Sequence, residues 1–190
     1  MRLLAFAQRE VPTHLAAQSL AMQEQAWPAT PGDQAAMAGG HDMALDPVWV
    51  LLVEDGTVVA SLVILSKQIT HRGESFQASG LSSVVTDRTR RGQGHGTRLA
   101  TAGRVLVRAR GADLGIFTCD RPLAGFYEHA GWRVLPGTVL VGGTSDAPLP
   151  SDQFDKVTMA CLFTDHARRR AGTFEHARIE LYPGTIDRLW

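Results

Sequence analysis

The chain is poor in the features that would place it in several common classes. Only two cysteines occur in 190 residues, Cys119 and Cys161, both in apolar strand-like stretches. That suits thiols in a reducing compartment and excludes a disulfide framework. No apolar run reaches the ~20 residues a membrane-spanning helix needs, and no charged-then-apolar N-terminal segment reads as a secretory signal. A cytoplasmic location is the expectation. Formal net charge is zero, with arginine dominating the basic residues, so the global basic footprint of a nucleic-acid binder is missing. The one dense basic run, Arg168-Arg169-Arg170, reads as a solvated loop. Histidines lack ligand spacing such as His-Glu-x-x-His, and no metal is expected. The length suits one domain over 1–190, since domains commonly run to ~100–200 residues.

What is present centres on Arg91-Gly92-Gln93-Gly94-His95-Gly96-Thr97. Glycines at alternate positions after an apolar strand and at the start of a helix make a concave nest of backbone N–H groups. Such a nest binds phosphate, because glycine admits an anion close to the main chain and the helix's first turn carries unpaired donors and a favourable dipole. A Walker loop would need Lys-Ser or Lys-Thr after the last glycine, and a Rossmann turn Gly-x-Gly-x-x-Gly. Neither spacing fits.

The elements around the nest follow from pattern. Thr13 is placed to cap a helix over 13–27 carrying Leu15, Leu20, Met22 and Trp27. The stretch from Pro31 to Pro47 is a long loop and the expected substrate-side lid. Two apolar runs, Trp49–Val53 and Val58–Leu65, flank Asp55-Gly56 as a hairpin. A second turn at 71–74 leads to a strand from Phe76 to Val85. After the nest, Leu99, Ala102, Leu106 and Ala109 recur at helical spacing, with Arg98, Arg104, Arg108 and Arg110 turned away. Strands follow at Leu114–Cys119, Val134–Val141 and Val157–Phe163. Between the first two, Asp120 is a candidate N-cap, Pro122 a first-turn residue and Gly131 the C-terminal stop of a short helix carrying Tyr127. The whole reads as an α/β protein with one mixed sheet.

Arg-x-x-Gly-x-Gly after Val84-Val85-Thr86, joined to Phe126-Tyr127-Glu128-His129-Ala130-Gly131-Trp132, resembles the two signatures of the GCN5-related N-acetyltransferases. More narrowly, the segment 63–73, the Arg91-Gly92-Gln93 core, Tyr127 with Gly131-Trp132, and the closing Asp187-Arg188-Leu189-Trp190 are similar to the aminoglycoside 2′-N-acetyltransferases. That likeness runs from about residue 48 to the end. It implies the acyl-CoA N-acyltransferase fold, in which the strand before the nest and the strand at Leu114–Cys119 are parallel neighbours that splay apart.

The resemblance implies acetyl-CoA as cosubstrate, with its diphosphate on residues 91 to 97 and its pantetheine arm along the main chain of Val84, Val85 and Thr86. Tyr127, a phenol of reference pKa ~10, would protonate the leaving thiolate. Where the resembling enzymes carry a glutamate, this chain has Ser82. The base stays open among a water oriented by Ser82 or Ser83, Asp152 or Asp155 acting across the cleft, and an acceptor amine of lowered pKa. A cationic amine wants acidic neighbours, for which Asp33, Asp42, Asp46, Asp152, Asp155, Asp187 and the Trp190 carboxylate are candidates. Loss of the glutamate favours a less charged aminoglycoside, of the kasugamycin type. The alternative acceptors are another small-molecule amine or a protein N-terminus. The partner set is therefore a small amine, with neither nucleic acid nor membrane, and a homodimer through the C-terminal strands. A nucleophilic Cys119 is disfavoured, because buried strand thiols are usually inert.

Overall fold

The computed structural model describes residues 1–28 and 40–182. Ten strands and five α-helices alternate along them: β1 (Arg2–Ala7), α1 (Thr13–Ala26), β2 (Val48–Glu54), β3 (Thr57–His71), β4 (Glu74–Thr86), α2 (His95–Ala109), β5 (Leu114–Asp120), α3 (Ala124–His129), β6 (Arg133–Val134), β7 (Val139–Gly143), β8 (Pro148–Pro150), β9 (Lys156–Leu162), α4 (Asp165–Arg169), α5 (Ala171–Phe174) and β10 (Arg178–Glu180). Seven strands form one mixed sheet in the order β1-β2-β3-β4-β5-β9-β6, and β10-β7-β8 form a second. Within the large sheet β4 and β5 are the parallel pair and the other ladders are antiparallel.

The hairpin expected at Asp55-Gly56 is there, with both residues at positive φ, and Arg72-Gly73 turns β3 into β4 the same way. These paired left-handed conformations match the twist of the strands they join. β2 and β3 are almost continuously buried, because helices cover both faces of the sheet. On one face α1 docks through a buried hydrogen bond of 2.7 Å between Ser19 Oγ and Ser61 Oγ. Leu62, the next residue of β3, points to the opposite face, where it meets α2 at Gly103. A Cβ on that glycine would stand 3.1 Å from Leu62 and 3.2 Å from Leu81, so its absence sets how closely α2 lies on the sheet.

Several local expectations shift. β1 is a strand that periodicity did not reveal, pairing along its length with β2 at the sheet edge. Thr13 is the first helical residue, preceded by Pro12, and makes no cap; α1 buries Leu15, Ser19, Met22 and Gln23 and exposes Leu20, and Trp27 just past its end is exposed too. The buried stripe of α2 is His95, Leu99, Ala100, Gly103 and Val107, rotated from the Leu99–Ala102–Leu106–Ala109 face. The reason is steric: with Gly103 facing the sheet, the closest approach falls on the stripe that contains it. Arg98, Arg108 and Arg110 are exposed as expected, whereas Arg104 is half-buried and donates from Nε to the Ala130 carbonyl at 3.3 Å.

The strand expected over 134–141 is two pieces, β6 and β7, because the chain turns at Leu135–Thr138 to leave the large sheet for the small one. Arg168 and Arg169 lie in α4 rather than a loop. Arg168 pairs with Asp165, and Arg170 pairs with Glu74. The α4–α5 segment is held on the α1 face of the sheet by ring stacking, His71 on Phe174 at 4.9 Å and Phe76 on His166 at 4.6 Å. Cys119 is buried; Cys161 is half-buried and contacts the Gly131 carbonyl. Among the described residues no helix is long and apolar enough to cross a membrane, and no group of His, Cys, Asp or Glu is arranged to hold a metal ion.

Candidate active site

The parallel ladder between β4 and β5 is two residue pairs long, Ala78 with Leu114 and Ser79 with Gly115. Beyond it β4 continues to Thr86 and β5 to Asp120 without pairing to each other, while β5 stays bonded to β9 as far as Lys156. The sheet therefore opens as a V toward the C-terminal ends of its two central strands. Main-chain groups on the inner edge of β4 are released from the ladder, and an extended ligand arm can take them up.

Register in β4 breaks inside the V. Ser61 pairs with Val85 and Val63 with Ser82, so Leu62 alone faces both Ser83 and Val84. Ser83 sits at the bulge with φ +51°, a left-handed conformation that costs a non-glycine residue energy. The extra residue re-aims the strand end carrying Val84, Val85 and Thr86 into the mouth of the V. Val85 is buried and Val84 and Thr86 are half-buried.

The loop that follows is a built nest. Asp87 Oδ1 accepts from Thr89 N at 2.8 Å and Thr89 Oγ1 at 2.7 Å, and these bonds hold its carboxyl below the usual carboxylate range. That turn delivers Arg91, Gly92, Gln93 and Gly94 to the surface, with Gly92 at φ +77° and Gly94 at φ +79°. Nothing lies within 4 Å of where a Cβ on either would stand, which leaves open space over two left-handed glycines. Gly94 is the N-cap of α2, and the first intrahelical bond there runs from Arg98 N to Gly94 O. The first-turn N–H groups of His95, Gly96 and Thr97 have no intrahelical acceptor. His95 is buried, its ring 3.2 Å from Gln93 Oε1. Gly96 serves a different need: a Cβ there would lie 3.0 Å from Thr86 Oγ1 and 3.2 Å from the Phe126 ring. The donor set and free volume fit a diphosphate.

Tyr127 stands across the V from the nest strand. β5 ends at Asp120, a turn over Arg121–Leu123 contains Pro122, and α3 then carries Tyr127 to its stop at Gly131, φ +86°. Asp120 does not cap this helix with its side chain; its carboxylate accepts instead from Lys156 Nζ at 2.7 Å, across the β5–β9 pair. The Tyr127 ring is 5 % exposed and packs edge-on to Phe117 and Phe126. Among the described residues its hydroxyl has no hydrogen-bond partner. Burial raises its pKa well above that of a free phenol, and the neighbouring Cys119 and Asp120 add to the effect. The group is held protonated.

Ser82 is half-buried on β4 and pairs with Val63, which shares a side of β3 with Ser61. It therefore faces α1, while Tyr127 approaches from the α2 side. The two flank the V from opposite faces of the sheet. The acidic residues fare differently. Asp155, itself at φ +49°, holds Arg121 Nε at 2.8 Å, and Asp152 lies 3.8 Å from Arg178 Nη1. Asp42 accepts from Ala44 N in a turn, and Asp46 pairs with Arg110. Asp33, Asp187 and Trp190, and most of the expected lid, lie outside the described residues. Pattern reading missed Asp113, which joins β4, β5 and the end of β9; a single Asp before a strand carries no periodic signal.

Comparison with known proteins agrees with this architecture. Residues 8–135 match the family model of the acetyltransferase (GNAT) domain. No curated protein matches the chain. Among solved structures, an aminoglycoside 6′-acetyltransferase type Ii superposes with a TM-score of 0.60 at 22 % identity, covering 86 % of this chain and 98 % of that one. An aminoglycoside 6′-N-acetyltransferase complexed with coenzyme A gives 0.59 at 16 %, covering 86 % and 98 %. An acyl-CoA N-acyltransferase from Pseudomonas aeruginosa gives 0.59 at 15 %, covering 84 % and 97 %. These likenesses are ones of fold.

Proposed function

The chain belongs to the GNAT acetyltransferase family and is an acetyl-CoA-dependent N-acetyltransferase; from that premise we propose that it acetylates a primary amine of a small molecule, with Tyr127 as the general acid. The observation that carries this reading is the Tyr127 hydroxyl: buried and, among the described residues, without a hydrogen-bond partner, on the α3 wall of the V. Acetyl-CoA supplies an activated acyl group as a thioester. Backbone N–H groups of residues 92 to 97 hold its diphosphate, Arg91 adds charge at the rim, and the main chain of Val84, Val85 and Thr86 aligns the arm. As the acceptor nitrogen bonds to the acyl carbon, the carbon–sulfur bond breaks and Tyr127 gives its proton to the departing sulfur. The proton lost by the amine leaves through a water oriented by Ser82, which faces the V from the other side.

The acceptor proposed is an aminoglycoside, modified at its 2′ amine. Support comes from the sequence resemblance over residues 63–73, Tyr127 with Gly131-Trp132, and the last four residues. Asp152 and Asp155 each already hold an arginine, Arg178 and Arg121. Fewer free carboxylates favour a less charged aminoglycoside, of the kasugamycin type, over a polycation; the same observation favours the second reading, another small amine of low charge. Thiol release from acetyl-CoA across a panel of 2′-amino and 2′-hydroxy aminoglycosides, kasugamycin and simple primary amines is the test. Turnover confined to compounds with a free 2′ amine supports the proposal. Equal turnover with 2′-hydroxy compounds or with simple amines overturns the 2′ assignment.

A further inference from the structure

Four aromatic rings form an arc whose two ends are both seated on the nest helix. Phe126 lies 4.8 Å from Tyr127, Tyr127 4.9 Å from Phe117, and Phe117 4.8 Å from Trp132, with interplanar angles of 76°, 69° and 86°. Each contact is edge-to-face, a geometry in which a positive ring edge meets a negative ring face and sliding is disfavoured. At one end the Phe126 ring rests on Gly96, with 3.2 Å from the ring to where a Cβ would be. At the other the Trp132 indole N–H donates to the Ala100 carbonyl at 3.3 Å in a buried site. Gly96 and Ala100 are one helical turn apart. Trp132 cannot slide inward either, because its ring covers Gly115 so closely that a Cβ there would stand 2.5 Å away.

Tyr127 is one of the two inner rings, and among the described residues no side-chain hydrogen bond fixes it. Its ring is packed between Phe126 and Phe117, whose neighbours lead back to α2, and its carbonyl accepts from Trp132 N at 3.1 Å. We propose that Trp132 is a positioning residue for proton transfer: through Phe117 it fixes the Tyr127 hydroxyl relative to the first turn of α2, so that the residue holding the diphosphate and the residue donating the proton share one frame. This rests on the reading of Tyr127 as the general acid. Misplacement of a reacting group by about 1 Å costs up to about 100-fold in rate, so a ring arc that prevents it has a kinetic signature.

The experiment is a double-mutant cycle with Trp132→Phe and Tyr127→Phe, using the amine from the panel that turns over fastest. Trp132→Phe keeps a ring but removes the N–H to Ala100. The expected result is a fall in kcat of about 10-fold, with the calorimetric Kd for coenzyme A changed by less than about twofold. In the Tyr127→Phe background, where no phenolic proton remains to be placed, the same substitution should change kcat by less than about twofold. An equal loss in both backgrounds, or a loss in coenzyme A affinity with kcat preserved, overturns the inference while leaving Tyr127 as acid. An unchanged kcat in Tyr127→Phe alone overturns the acid reading and the inference with it. If Trp132→Phe does not fold, Phe126→Leu at the other end of the arc enters the same cycle with the same expectations.

Discussion

Gln77 and Asp113 exchange two hydrogen bonds at the apex of the V, Asp113 N donating to the Gln77 carbonyl at 2.7 Å and Gln77 N donating to Asp113 Oδ2 at 2.9 Å. The other carboxylate oxygen accepts from Thr164 Oγ1 at 2.8 Å, and the Asp113 carbonyl accepts from Phe163 N at 2.8 Å. One residue thus ties β4 to β5 where the parallel ladder begins and pins the end of β9 beside them. Asp113→Ala removes two acceptors and leaves the Gln77 amide without its partner. A loss of about 1–3 kcal/mol in a urea titration is expected. Asp113→Asn keeps one acceptor and should cost less. Equal midpoints for parent and alanine variant would mean that the apex is held by the ladder alone.

Gly115 is buried beneath Trp132, and a Cβ there would meet the indole at 2.5 and 2.8 Å, with Phe163 at 3.4 Å. The obstacle is a fixed ring rather than a flexible chain end, so the strand or the ring has to move. Gly115→Ala is expected to lower stability by about 1–3 kcal/mol, the range for overpacking a core. A thermal melt measures this directly, and a variant as stable as the parent would show that the ring arc tolerates displacement.

These two positions also mark where sequence reasoning stops. The nest was legible because alternate glycines between an apolar strand and a helix have few other physical uses, and Asp55-Gly56 because its turn chemistry is local. The short helix that carries Tyr127 was legible from Pro122 before it and Gly131 after it. The face of α2 was not, because Gly103 carries no hydrophobic signal yet dictates which stripe meets the sheet. The bulge at Ser83 was not legible either. It arises from a register shift against Leu62 on another strand, and nothing in Ser82-Ser83-Val84 marks it. Asp152 and Asp155 were candidates for a free acidic pocket, but their pairing with arginines 26 and 34 residues away depends on tertiary placement that spacing does not encode.

The Cys119 thiol is pushed up to about 11 by burial and by the neighbouring Asp120 charge, with Lys156 opposing. Between its ordinary value of 9.0 and about 11 the folded chain keeps a proton that the unfolded chain has lost. Stability therefore falls as pH rises through that window, on the order of 1 kcal/mol from this group by pH 10. Tyr127, also raised, adds a loss of the same sign above about pH 10. In Cys119→Ala the urea midpoint should decline less steeply from pH 8.5 to 10 than in the parent. Turnover should be mostly retained, since direct transfer needs no acyl-cysteine. Abolished turnover in a folded Cys119→Ala protein would contradict direct transfer.

Gly92 and Gly94 separate conformation from contact. Each is left-handed, and each has open space where a Cβ would go, so alanine meets no clash and only the backbone conformation is penalised. That penalty is about 1–2 kcal/mol for an L-residue. An exposed loop relaxes more cheaply than a core, so the cost should appear as lost ligand affinity rather than lost stability. Gly92→Ala and Gly94→Ala are each expected to weaken coenzyme A binding by about 5- to 30-fold in calorimetry, with melting temperature nearly unchanged. Gly172→Ala is the control, since Gly172 has ordinary φ, equally open space and a place in α5. If all three variants bind coenzyme A as tightly as the parent, the diphosphate does not sit on residues 92 to 97. If all three weaken it alike, the effect is not one of the nest.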